Sequence, residues 1–160
     1  METATEALSQ YEIERGKPMP SKLHAFIQAR LVTELSNRYQ ERYSSLSELS
    51  LELSTGRATP DIAIYPPMEI DFFHDEIRMT EPPLCAIEIL SPTQGIHEIL
   101  ARAPKYFAGG VQSFWVVIPP FKTIYVFSDA ETYDTFADKA VLHDKKTGIE
   151  LPLTEIFPTN

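Results

Sequence analysis

Two carboxylates in this chain stand where carboxylates are costly. Glu88 lies inside Leu84-Cys85-Ala86-Ile87-Glu88-Ile89-Leu90-Ser91, a run otherwise suited to a buried strand and bounded by Pro82-Pro83 and Pro92. Asp61 sits at the mouth of a second short apolar strand, Thr59-Pro60-Asp61-Ile62-Ala63-Ile64-Tyr65. A charged group in such surroundings needs a cation, a proton or hydrogen-bond donors. Period-two alternation aims Asp61 the same way as Ala63 and Tyr65, and Glu88 the same way as Ala86 and Leu90. If the two strands are neighbours in register, the acids can share a hard divalent ion such as magnesium. Such an ion takes about six oxygen ligands, one or two of them carboxylates and the rest water and phosphate. Held there, it can polarise a phosphodiester and activate water. The rival reading is two unrelated strand acids, each with its own lysine or arginine partner. Spacing alone leaves both open.

Other chemistries find less support. His74, His97 and His143 have no companions at metal-ligand spacing, so no zinc site is expected. Cys85 lies within an apolar strand, and neither a G-x-S-x-G elbow nor a phosphate-cradling glycine loop occurs. His24 reads either as a helix-flank histidine bonded to backbone or as a group facing the acids. Glu12 and Glu14 read as solvated strand residues, and Trp115 as core.

The elements that must position the acids follow from periodicity. Residues 1–9 read as a flexible polar tail, and Tyr11 to Arg15 alternates like a short strand ended by Gly16. Ser21 is suited to cap a long helix reaching about Arg42, whose stripe is Leu23, Ile27, Leu31, Leu35 and Tyr39, widened by Phe26 and Val32. Leu46 to Leu53 has strand periodicity, and a turn at Thr55-Gly56 suggests an antiparallel hairpin with the Asp61 strand. Residues 66–83 are proline-rich and acidic, a long excursion with an irregular strand around Met68–Phe73. A helix from Ile96 to Ala108 is expected to kink or stop at Pro104 and to end at Gly109-Gly110. Phe114 to Ile118 suits a sheet centre, Thr123 to Phe127 its hairpin partner, and Thr132–Phe136 and Ala140–His143 outer strands. A short helical turn within Leu151–Phe157 closes the chain.

At 160 residues the chain fits one domain, with 10–160 as its span, and can bury roughly two thirds of its extended surface. The single cysteine rules out an internal disulfide framework. No secretory pattern and no long apolar run occur, so a cytoplasmic protein without a membrane span is expected. The net charge of -9 argues against a simple basic nucleic-acid binder, though not against a nuclease whose basic residues gather on one face.

The ordered pattern Thr59-Pro60-Asp61, Glu88-Ile89-Leu90-Ser91-Pro92, a helix carrying Arg102 and Tyr106, Gly110-Val111, then Phe114-Trp115-Val116-Val117 resembles the Uma-two family. The N-terminal Tyr11-Glu12-Ile13-Glu14-Arg15-Gly16 and His24 fit it too, so the resemblance spans about 11–157. That family belongs to the PD-(D/E)XK, restriction-endonuclease-like superfamily of endonucleases. The resemblance implies an α/β fold, a mixed sheet flanked by helices, with Asp61 and Glu88 as ligands of Mg or Mn and the Ile89 carbonyl as a third. The superfamily's usual lysine position is Leu90 here. The family moves that lysine one turn before the tyrosine, which is Arg102 in this chain. Arginine can neutralise phosphate but cannot accept a proton near neutral pH. Arg102 also stands four residues after Glu98, so a helix-face salt bridge is an equal alternative, and Lys105 is a second candidate on that face. Relatives carry an acid after the aromatic strand where this chain has Ile118, and place a histidine at His24.

The expectation is therefore a magnesium-dependent endonuclease acting on DNA, homodimeric through an exposed apolar strand face or edge. The alternatives are a catalytically degenerate nuclease fold serving as a binding or regulatory module, and an acidic oligomeric interaction protein.

Overall fold

Alternation along three central strands divides the apolar residues between two cores, one on each face of a sheet. The computed structural model describes residues 9–159. The expected tail at 1–9 lies, but for Ser9, outside the described residues. In chain order the helices are α1 (Gln10–Arg15), α2 (Lys22–Tyr39), α3 (Ile96–Leu100), α4 (Arg102–Ala108) and α5 (Leu153–Ile156). The strands are β1 (Ser44–Ser47), β2 (Leu51–Leu53), β3 (Gly56–Ala58), β4 (Ile62–Tyr65), β5 (Cys85–Ile89), β6 (Ser113–Ile118), β7 (Thr123–Phe127), β8 (Tyr133–Ala137), β9 (Val141–His143) and β10 (Glu150–Pro152).

Six strands form a mixed sheet in the order β1-β4-β5-β6-β7-β8, with β5 and β6 parallel and the other neighbours antiparallel. Ile62, Ile64, Ile87, Ile89, Trp115 and Val117 face α2 and α5. Ala63, Tyr65, Ala86, Phe114 and Val116 face α3, α4 and the β2–β3 hairpin. Covered on both faces, β4 to β6 have no side that tolerates polarity, which is why their sequences read as nearly continuous apolar runs.

Several expectations change. Tyr11 to Arg15 is helical, not a strand. Ser9 and Glu12 form a reciprocal capping box at 3.2 Å each way, and Gly16 ends the helix at φ 71°. In α2 the buried stripe is His24, Ile27, Leu31 and Leu35, while Leu23 and Phe26 are exposed. The Leu46–Leu53 strand is broken at Glu48, whose φ of 56° is left-handed. Its first half pairs antiparallel with β4, and its second half forms the hairpin that turns at Thr55-Gly56. No named strand occupies 66–83, and only Met79 bridges there, to Leu51. The 96–108 helix stops at Ala101 and restarts, which places Pro104 in the first turn of α4, where a missing N–H is harmless. β8 is an outer strand of the main sheet, but β9 pairs with β10 in a separate ribbon.

Asp144 ties that ribbon to the main sheet. Fully buried, it accepts hydrogen bonds from Ser113 Oγ at 2.6 Å, Trp115 Nε1 at 2.8 Å and the Lys146 N–H at 2.9 Å. Replacing it by alanine strands the Ser113 and Trp115 donors, so Asp144→Ala is expected to cost about 3 kcal/mol of stability. Urea unfolding followed by fluorescence of Trp115, the chain's one tryptophan, measures this directly.

Candidate metal centre

The register of β4 against β5 brings the two acids together. Ile64 stands opposite Cys85, Ala63 opposite Ala86 and Ile62 opposite Ile87, so one further step sets Asp61 opposite Glu88. Both carboxylates are almost wholly removed from water, at 0% and 1% exposure. Just before β4, the Asp61 side chain rather than its backbone meets β5, Oδ2 accepting the Ile89 N–H at 2.7 Å.

Between the carboxylates lies an ammonium. Lys17 Nζ is 2.7 Å from Asp61 Oδ1 and 3.2 Å from Glu88 Oε2. Arg15 Nη2 also donates to Asp61 Oδ1 at 2.7 Å, and the same guanidinium grips Glu48 through Nε at 2.6 Å and Nη2 at 2.7 Å. Glu88 is fixed from its other side by Arg102 Nη1 on Oε2 at 2.7 Å and by the Tyr106 hydroxyl on Oε1 at 2.8 Å. Arg102 therefore reaches Glu88 from the first turn of α4, and its Nη2 donates to the Gly16 carbonyl at 3.1 Å. Glu48, Asp61 and Glu88 against Arg15, Lys17 and Arg102 make three anions and three cations, a locally neutral cluster. Burial on this scale demands such pairing.

His24 Nε2 comes within 3.1 Å of Asp61 Oδ1, off the line of a hydrogen bond, so the contact is electrostatic. Lys105 turns away from both acids and donates to the Arg57 carbonyl. The backbone group of Ile89 seen at the acids is its N–H. A cleft of about 190 Å³ opens over Glu88, with Arg15, Arg57, Arg102 and Lys105 in its lining. Of these, Arg15 and Arg102 are already paired within the cluster, so Arg57, 3.7 Å from Glu52, and Lys105 are the cations that line the cleft from outside it.

Burial pushes the Asp61 carboxyl up, but His24 and Lys17 more than offset it, holding the group down at about 2. Burial, and after it the charge of Glu88, pushes the Tyr106 phenol well above its ordinary value. Tyr106 thus stays a hydrogen-bond donor to Glu88 at any physiological pH.

Sequence reasoning did not single out Arg15, Lys17, Glu48 or Tyr106 as partners of the acids. The available signal was the cost of two buried carboxylates, which requires buried cations from somewhere; Arg15 and Lys17 flank the glycine that ends α1.

Among the described residues no group of three or more His, Cys, Asp and Glu side chains surrounds one point. Yet two carboxylates converge on one cation, at distances suited to direct contact. With the ammonium withdrawn, two carboxylates completed by water and phosphate are what magnesium ordinarily uses. The residues fit such an ion on that condition.

The profile of the Uma2 family, described as "Putative restriction endonuclease", matches residues 4–156. Among solved structures, a "putative nuclease belonging to DUF820 from Anabaena variabilis ATCC 29413" superposes with a TM-score of 0.75 at 21% identity, over 88% of this chain and 83% of that one. At that identity the likeness shows the fold. No curated protein matches.

The depressed Asp61 pKa makes stability depend on acid. An ordinary aspartate pKa of 3.8 falls to about 2 on folding, so the charged group contributes stability in full above about pH 4 and loses it as the pH falls toward 2. The contribution is about 2 kcal/mol. Urea unfolding at intervals from pH 5 to pH 2 should show this decline, and Asp61→Asn should flatten it.

Proposed function

Because the chain belongs to the Uma2 family of restriction-endonuclease-like proteins, we propose that it hydrolyses phosphodiester bonds in DNA, using Mg or Mn held by Asp61 and Glu88. The observation that carries this reading is the convergence of the two acids, 27 positions apart by subtraction of their numbers, on a single cation. When bound there, a divalent ion supplies Lewis-acid polarisation of the scissile phosphate and an activated water.

The chain's own groups do the rest. Arg102 lies at the rim of the cleft, one-fifth exposed, and can bind a phosphate oxygen while keeping Glu88 in place. Arg57 and Lys105 extend the basic lining and steer a polyanion to it. Tyr106 orients the Glu88 carboxylate through its hydroxyl, and the Ile89 N–H orients that of Asp61. His24 adds positive potential at Asp61 from the helix side when protonated.

The reading includes one restriction-endonuclease-like domain over 10–160 and a cytoplasmic homodimer. The exposed Phe72, Phe73, Ile77 and Tyr133 supply apolar surface for the dimer. No helix among the described residues is long and apolar enough to cross a membrane. One observation favours a second reading, a degenerate nuclease fold that binds or regulates without cutting: Lys17 fills the position between the acids and already neutralises them.

Plasmid nicking with Mg or Mn separates the two. The wild type is expected to cut, Asp61→Asn and Glu88→Gln to fall to background, and Arg102→Met to lose about 10–100-fold. A well-folded wild type that binds metal and DNA but leaves plasmid intact establishes the second reading.

A further inference from the structure

Lys17 is 6% exposed, and its ammonium contacts the same two carboxylate oxygens that a shared divalent ion would need, Asp61 Oδ1 and Glu88 Oε2. The ammonium stands in the gap between those two oxygens, so an ion that bridged both would need the position Lys17 Nζ already fills. We propose that Lys17 is a resident counter-ion that closes the metal site, and that a divalent cation enters only by displacing it. This rests on the reading of Asp61 and Glu88 as metal ligands.

The displacement has a structural consequence, because the segment that carries Lys17 is tied to this cluster at several points. Arg15 holds Asp61 and the Pro18 carbonyl, and Arg102 holds the Gly16 carbonyl while holding Glu88. A divalent ion on the acids competes with Lys17 outright and weakens the claims of Arg15 and Arg102 on the same carboxylates. The Gly16–Lys17 stretch then loosens, while Arg15 keeps its hold on Glu48. The closed form neutralises two buried carboxylates when metal is scarce, and the open form frees the Lys17 ammonium beside the cleft.

The test is direct binding of Mn, followed by the EPR signal of the free ion, to the full chain and its variants. Lys17→Met is expected to bind Mn about tenfold or more tightly than the wild type. Adding Asp61→Asn to Lys17→Met should abolish that binding, which places the ion on the same acids. Equal or weaker binding by Lys17→Met overturns the proposal while leaving the metal site intact. Absence of binding in both proteins overturns the metal reading and this proposal with it. Should Lys17→Met fail to fold, hydrogen exchange on the wild type decides: saturating Mn is expected to speed exchange at Gly16, Lys17 and Met19, and unchanged or slower exchange there with Mn bound overturns the displacement.

Discussion

Asp61 and Glu88 are both withheld from water, and the free-energy cost of that withdrawal governs the arrangement around them. A lone buried carboxylate would protonate or unfold its surroundings. Here each acid is met by several donors: the Ile89 N–H, Lys17 and Arg15 for Asp61, with His24 close by, and Tyr106, Arg102 and Lys17 for Glu88. Cations that are themselves buried could not persist without the acids, so each half of the cluster is the condition for the other. That mutual dependence is why charged side chains survive in the interior of a small protein.

The sheet makes this dependence precise in space. Antiparallel pairing fixes which residue of β4 stands opposite which residue of β5, and a slip of one position would send Glu88 into the aliphatic core beneath α2. Helix α2 covers one face and sets His24 against Asp61, while α4 covers the other and brings Arg102 and Tyr106 to Glu88. Between β1 and β2 the backbone at Glu48 takes a left-handed conformation that non-glycine residues adopt at a cost. The bend lets the Glu48 N–H reach the Asp61 carbonyl at 3.0 Å while its carboxylate receives Arg15.

How much of this the sequence disclosed depends on how local each signal is. β4, β5 and the long helix were legible because apolar runs and a four-residue stripe are properties of short windows, and an acid in such a run stands out. The α1 segment was misread because Tyr11 and Ile13 alternate over too few residues to separate period two from one helical turn. Ser9-Gln10-Tyr11-Glu12 carries the capping-box signature that decides it. Leu23 and Phe26 were placed on the buried stripe because hydrophobicity alone does not show that the first turn of α2 faces the carboxylates, where His24 belongs. The cations were hidden for a different reason. A lysine beside a turn glycine has the same local appearance whether it is solvated or buried, and only the tertiary fold brings Lys17 to acids 44 and 71 positions away.

Those separations bear on how the molecule comes into being. The partners of the cluster come from α1 and the turn after it, from α2, from the β1–β2 bend, from β4 and β5, and from α4, and β5 must await a crossover before it can pair with β6. Contacts so distant along the chain carry a large loop-closure cost and form late. During synthesis the N-terminal cations emerge long before the acids that neutralise them, and neither group can settle until Arg102 and Tyr106 have been made. Half of the cluster would leave buried charges unpaired, so its full complement of partners exists only in chains that have finished folding.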